Sequence, residues 1–182
     1  MTDKSKYRAA ALQDAHSAPA GGPREPIHVL AIALGGCLKA PPVAYGITED
    51  TGGHIAYVLG AMEALARDPR IGRADIATRL FDDPALGSAH AQPVEELSAK
   101  SRIVRIDSGN RAYLAKEELA RDRAAFTEAL IAHLQRQPRL PDVIHAHFAD
   151  AADVAREVKR RLGIPFIYTA HSLGIDKRAA SG

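Results

Sequence analysis

The sequence predicts an α/β fold, a Rossmann-like parallel β-sheet sandwiched by helices. Three observations predict it. Apolar runs of strand length recur along the chain, amphipathic helical stretches separate them, and the order strand, helix, strand calls for right-handed crossovers between parallel strands. With 182 residues the chain is long enough for one domain with a real core and short for two.

The elements follow in order. Residues 1–26, rich in alanine, glycine, proline and scattered charge, have little to bury and are expected to form a flexible leader. "IHVLAIAL", Ile27 to Leu34, is a short apolar run closed by Gly35 and Gly36, as expected of a strand buried on both faces. The prolines and glycine of "KAPPVAYGITEDT" forbid regular structure from Lys39 to Thr51. In "EDTGGHIAYVLGAMEALA", Ile55, Val58, Leu59, Met62 and Leu65 then share one helical face. "DIATRL", Asp75 to Leu80, and "RIVRID", Arg102 to Asp107, read as further strands with a loop between them. Glu117 to Gln135 is a charged helix whose core stripe is Leu119, Phe126, Leu130 and Leu134. "PDVIHAH" is a strand, "ADAADVAREVKRRL" a helix ended by Gly163, and "PFIYTAH", Pro165 to His171, a strand. The sequence ends at Gly182, where another helix is expected to cover the sheet.

Composition narrows the function classes. The chain has 24 basic and 22 acidic residues and no long run of like charge, which argues against a nucleic-acid or polybasic membrane surface and for small-molecule chemistry. The N-terminus lacks the apolar core of a signal peptide, and no stretch reaches the roughly 18 apolar residues of a membrane span. One cysteine, Cys37, allows no internal disulfide, and its reading is a buried small hydrophobe. The expected location is cytoplasmic.

Ligands of such sheets bind at the carboxyl ends of the strands, where Gly35, Gly36, His145, His147, His171 and Ser172 collect. Gly52 and Gly53 begin a helix, so their amides lack intrahelical partners and a ligand oxygen can approach bare backbone. The competing reading is that Asp50 or Thr51 caps the helix and the glycines only permit a turn. "GGCLKA" lacks the G-x-G-x-x-G spacing, so no NAD site is expected. In "HAHF", His145 and His147 share a strand face; hydrogen-bonded histidines are the reading preferred over a metal pair. "TAHSLGIDK" places His171, Ser172 and Lys177 around a glycine turn, without the elbow of a serine hydrolase. Lys116 in "YLAKEEL" reads either as a solvated lysine at a helix start or, since a cation is unfavourable there, as one that a ligand compensates. Arg105 and Arg111 read as surface charges.

Four stretches, "EDTGGHIAYVLGAMEALA", "RIVRIDSGNRAYLAKEEL", "PDVIHAHFADAADVA" and "LGIPFIYTAHSLGIDK", stand in an order that resembles sucrose-phosphate synthases and related retaining glycosyltransferases of the group 1, family 4 type. The resemblance runs from about Ile27 to Lys177. It implies the N-terminal, acceptor-side half of the two-Rossmann-domain GT-B fold, over residues 27–182, truncated at its C-terminal end and lacking the second domain. It also implies transfer of glucose from a nucleotide-glucose donor, usually UDP-glucose, to fructose 6-phosphate with retention of configuration, and no cofactor or metal. By position, Gly52, Gly53 and His54 would line the acceptor and donor-sugar cleft. Lys116 and Lys177 would pair with the acceptor phosphate or its neighbouring hydroxyls, and His171, as the catalytic candidate, and Ser172 would contact the reacting sugars. Two positions depart from the pattern: His54 stands where the family has glutamine, and Phe148 of "HAHF" replaces the tyrosine of "HGHY".

The implied partners are a nucleotide-sugar donor, a sugar-phosphate acceptor and a C-terminal Rossmann domain supplied in cis or in trans, without which the chain is expected to be inactive. Two alternatives stay open. One is a non-catalytic sugar-phosphate-binding or interaction module, which the changes at His54 and Phe148 would suit. The other is a metal-dependent hydrolase built on His145, His147 and His171.

Overall fold

The computed structural model describes residues 25–171. The leader up to residue 24, and Ser172, Gly174 and Lys177 with the rest of the C-terminal segment, lie outside the described residues. The elements are β1 (Ile27–Ile32), α1 (Gly53–Arg67), β2 (Ile71–Arg79), β3 (Val94–Ser98), β4 (Ser101–Ile106), α2 (Leu119–Gln135), β5 (Val143–His147), α3 (Phe148–Leu162) and β6 (Phe166–Thr169). Short 3-10 turns at Ser88–Ala91 and Lys116–Glu118 complete the order.

The six strands form one sheet in the order β3-β4-β2-β1-β5-β6. Every pairing is parallel except β3 with β4, an antiparallel edge hairpin in which Val94 faces Val104. The expected strands, helices and α/β class are present; β3 is an addition, since "VEELS" carries two glutamates within a stretch that reads as loop. Arg105 accounts for the hairpin and corrects its assignment as a surface charge. Its side chain is buried, donating to Glu95 of β3 at 2.5 Å and to the carbonyls of Leu38 and Gln92 at 3.0 and 3.1 Å. A charge taken out of water needs such partners, and the strand beside it supplies one. Arg111 is exposed, paired with Asp107 four residues before it.

Strand alternation divides the core into two layers. Val29, Ala31 and Ala33 bury on one face with Ile55, Val58 and Met62 of α1. Leu30, Ile32 and Leu34 bury on the other with Phe126 and Leu130 of α2 and Val154 and Val158 of α3. From Val29 onward an apolar run is therefore what β1 requires, because both of its faces are covered. Each large apolar side chain so buried contributes about 1.5–3 kcal/mol. The α3 helix ends at Gly163, at φ 75°, whose amide donates to the Lys159 carbonyl. None of the described helices is long and apolar enough to cross a membrane.

Candidate functional site

The strand order reverses direction between β1 and β5. From β1 the chain winds outward through β2 to β4, then returns to the other side of β1 for β5 and β6. At the carboxyl ends of two strands flanking such a reversal the following loops part, leaving a crevice. A cleft of about 540 Å³ lies there, lined by Leu34 and Gly35 after β1, His147 and Phe148 at the end of β5, and His54, Asp50 and Lys116 from the surrounding segments.

One wall is the start of α1. Neither residue expected to cap it does so. The Thr51 hydroxyl accepts the Cys37 amide at 2.8 Å, and the Asp50 carboxylate accepts the Gly36 amide at 3.1 Å, the Thr48 hydroxyl at 2.8 Å and the Tyr113 phenol. Gly52 is the N-cap and brings no side-chain hydrogen bond. The first-turn amides of α1 thus keep no capping side chain from this helix start. The two glycine pairs differ in what they require. A Cβ on Gly36, at φ 79°, would come within 2.5 Å of the Asp50 carbonyl, so the fold itself demands glycine there. A Cβ on Gly52 or Gly53 would meet no atom within 4 Å, and neither residue has positive φ. The protein's own packing leaves the space above them open.

The opposite wall is aromatic. Phe148 opens α3 with φ 68°, an unusual conformation for a bulky residue. Its ring stands 5.0 Å from that of His54 and 4.8 Å from that of His171, and the Lys116 ammonium lies 4.3 Å above its centroid. A cation over a ring face is held by the ring quadrupole. Lys116 opens the 3-10 turn that leads into α2, which places its charge in the cleft despite the helix start behind it.

Four histidines gather here. His54 Nε2 and the Gly35 carbonyl make a long hydrogen bond of 3.4 Å, so Nε2 carries the proton and Nδ1 a lone pair. His145 Nε2 pairs with the Thr169 hydroxyl at 2.8 Å, and His147 Nδ1 with His171 Nε2 at 2.9 Å. Burial lowers the pKa of all four; His147, buried and beside His145 and His171, is pushed down to about 3. The cluster is neutral at neutral pH, so the positive charge on this wall is that of Lys116. The hydrogen bonds of the cluster run to Gly35, to Thr169 and between His147 and His171, which is the arrangement of hydrogen-bonded histidines; among the described residues, no group of three or more His, Cys, Asp or Glu side chains is placed to hold a metal ion. The metal-dependent hydrolase has no centre in this geometry.

The fold therefore brings His54, Lys116 and Phe148 to one cleft, with His171 packed beside Phe148 and with Gly52 and Gly53 beginning the helix that carries His54. Tyr57 and Tyr113 were not legible as participants. Tyr57 lies on the exposed side of α1, 5.1 Å from His171, and Tyr113 ties Asp50 to the segment before Lys116. The available signal for Tyr57 was its i, i+3 spacing from His54 on one helix. Cys37 is buried, and burial raises its thiol pKa.

Comparison with known proteins agrees with this fold. The family model of Glycosyltransferase Family 4 matches residues 52–181. A probable sucrose-phosphate synthase 1 from Oryza sativa subsp. indica is 33% identical over 176 aligned residues, covering 83% of this chain. Sucrose-phosphate synthase 4 from Arabidopsis thaliana is 31% identical over 172 residues, again covering 83% of the chain. The chain spans 16% of the length of each of these curated relatives. Among solved structures, a sucrose-phosphate synthase from Thermosynechococcus elongatus superposes with a TM-score of 0.65 at 26% identity, over 85% of this chain and 35% of the other.

Proposed function

The chain belongs to Glycosyltransferase Family 4, and from that premise we propose that it is the acceptor-binding domain of a retaining glycosyltransferase that moves glucose from UDP-glucose to fructose 6-phosphate, giving sucrose 6-phosphate and UDP. The observation that carries the reading is the convergence of the uncapped start of α1 and the Lys116 ammonium on one cleft at the strand reversal. Backbone amides at Gly52 and Gly53 offer donors to sugar oxygens at close range, and Lys116 offers a cation to the phosphate. Lys177, outside the described residues, is the second proposed cation, and Ser172 joins His171 at the reacting sugars.

Transfer also needs the charge that develops on the departing nucleoside diphosphate to be neutralised while the acceptor hydroxyl is aligned. The residues of the cleft suit alignment more than neutralisation of a diphosphate: a single lysine stands there among Glu49, Asp50, Glu117 and Asp150. We therefore assign the nucleotide-binding role to a second domain, in cis or in trans, and expect these 182 residues alone not to turn over.

Calorimetric titration of the chain with fructose 6-phosphate, glucose 6-phosphate and UDP-glucose tests the assignment. Saturable binding of fructose 6-phosphate, weakened in Lys116→Ala, is the expected result; absence of any sugar-phosphate binding by the folded chain at millimolar concentration counts against it. Adding the second domain separates an enzyme half from a non-catalytic module, since only the former gains synthesis of sucrose 6-phosphate.

A further inference from the structure

His147 lies beneath the cleft rather than in front of it. It is 1% exposed, flanked by His145, Tyr57 and His171, and its ring nitrogens have different fates. Nδ1 is 2.9 Å from His171 Nε2, while Nε2 is buried and has no hydrogen-bond partner. The ring planes of His147 and His171 differ by 29° with centroids 5.1 Å apart, the disposition of an edge-to-edge nitrogen bond rather than a face stack.

Both rings are neutral at neutral pH, so one proton is shared across that contact and only two arrangements exist. If His171 Nε2–H donates to His147, the single proton of His147 must sit on Nε2, and an N–H is buried without an acceptor. If instead His147 Nδ1–H donates to His171, Nε2 of His147 keeps only a lone pair. Buried unpaired donors are rarer in proteins than under-satisfied acceptors, because an N–H has one bond to make and loses it entirely. The second arrangement therefore holds. His171 then accepts at Nε2 and must carry its own proton on Nδ1, the nitrogen on the far edge of the ring.

We propose that His147 is a positioning residue that fixes His171 as the Nδ1–H tautomer, so that the ring offers a hydrogen-bond donor and not a base beside Phe148 and His54, which line the cleft. The functional meaning rests on the reading of His171 as a residue that touches the sugars. Under it, His171 recognises an oxygen lone pair, from a sugar hydroxyl or a phosphate, and does not abstract the acceptor's proton. The φ of 55° at His171 fits a residue held in place for such a contact.

The test needs no ligand. Long-range proton–nitrogen correlation spectra of the 15N-histidine-labelled chain at neutral pH distinguish the two tautomers of each ring. The expected spectrum shows Nδ1–H at both His147 and His171; an Nε2–H signal for either overturns the proposal. Two variants add a rescue. The amide nitrogen of His147→Asn overlays the Nδ1 donor and is expected to keep His171 as Nδ1–H, whereas His147→Phe removes the donor and is expected to release His171 to the Nε2–H form. An unchanged His171 tautomer in a folded His147→Phe chain overturns the positioning role. Fructose 6-phosphate titration follows separately: binding is expected to weaken about 2- to 10-fold in His147→Phe and to be retained in His147→Asn. Failure of every form to bind, with the spectra as expected, sinks the acceptor assignment and leaves the tautomer result standing.

Discussion

At Gly53 the chain omits a side chain that its own packing would accommodate. Alanine there meets nothing, sits in the first turn of α1 and restricts the unfolded chain, so Gly53→Ala is expected to stabilise the ligand-free protein by about 0.4–1 kcal/mol in urea unfolding. Under the proposed acceptor site the same methyl group intrudes on the sugar phosphate, so fructose 6-phosphate binding is expected to fall. A variant that is stabilised and still binds normally would remove the glycines from the site. Lys116→Ala is expected to weaken fructose 6-phosphate binding by roughly 10- to 150-fold, the equivalent of about 1.5–3 kcal/mol for a charge-assisted bond. Gly52, Gly53 and Lys116 stand out in the sequence as candidates because bare backbone and a cation at helix starts each invite a ligand. Tyr57 was not, since a tyrosine on an exposed helix face carries no mark until the histidines beside it are placed.

Between elements, the segment that carries Lys116 is anchored by one buried ion pair. Arg79 at the end of β2 donates to Asp122 of α2 at 2.6 Å and to the carbonyls of Asn110 and Ala112 at 3.0 and 3.3 Å, and both side chains are nearly inaccessible. The Ser108 hydroxyl donates its one proton to the same carboxylate, 2.9 and 2.8 Å from the two oxygens. Removing one partner leaves the other charge buried, so Asp122→Ala is expected to cost about 3–5 kcal/mol by urea unfolding, and the joint change Arg79→Met with Asp122→Leu distinctly less than the sum of the two single changes. Additive losses would mean that the two charges are solvated independently. Neither residue was singled out in the sequence, because a charge inside a strand or a helix reads as solvated until its partner, far along the chain, is known. The same blindness hid β3 and misplaced Arg105: hydrophobic periodicity reports elements with an apolar face, such as β1 and α1, and is silent about a strand fastened by a buried guanidinium.

For the molecule as a whole, the buried histidines set an acid limit. His90, stacked on Phe81, has its pKa pushed down to about 4 by burial and by Arg105, and His147 to about 3. Each is depressed below its unfolded value of 6.5, so the unfolded chain binds protons first and stability is lost as pH falls below that value. By about pH 4.5 the expected loss is roughly 2–3 kcal/mol for each histidine, before most carboxylates titrate. Urea midpoints measured from neutral to mildly acidic pH check this, and a flat profile would refute it; His90→Phe, if folded, is expected to flatten part of the slope. The strand order has a consequence in time as well as in space. Leu30 and Ile32 of β1 find parallel partners in Ile144 and Ala146, more than half the chain away, whereas Ile76 of β2 pairs with Ala31 much sooner along the chain. Closing so long a loop carries an entropic cost that near neighbours do not face, and pairings of this kind slow folding. During synthesis the β1–β2–β4 half can assemble while the β5 edge of β1 still waits for its neighbour, so the crevice between them is expected to be among the last features to form, and the emerging chain holds an open sheet edge until β5 arrives.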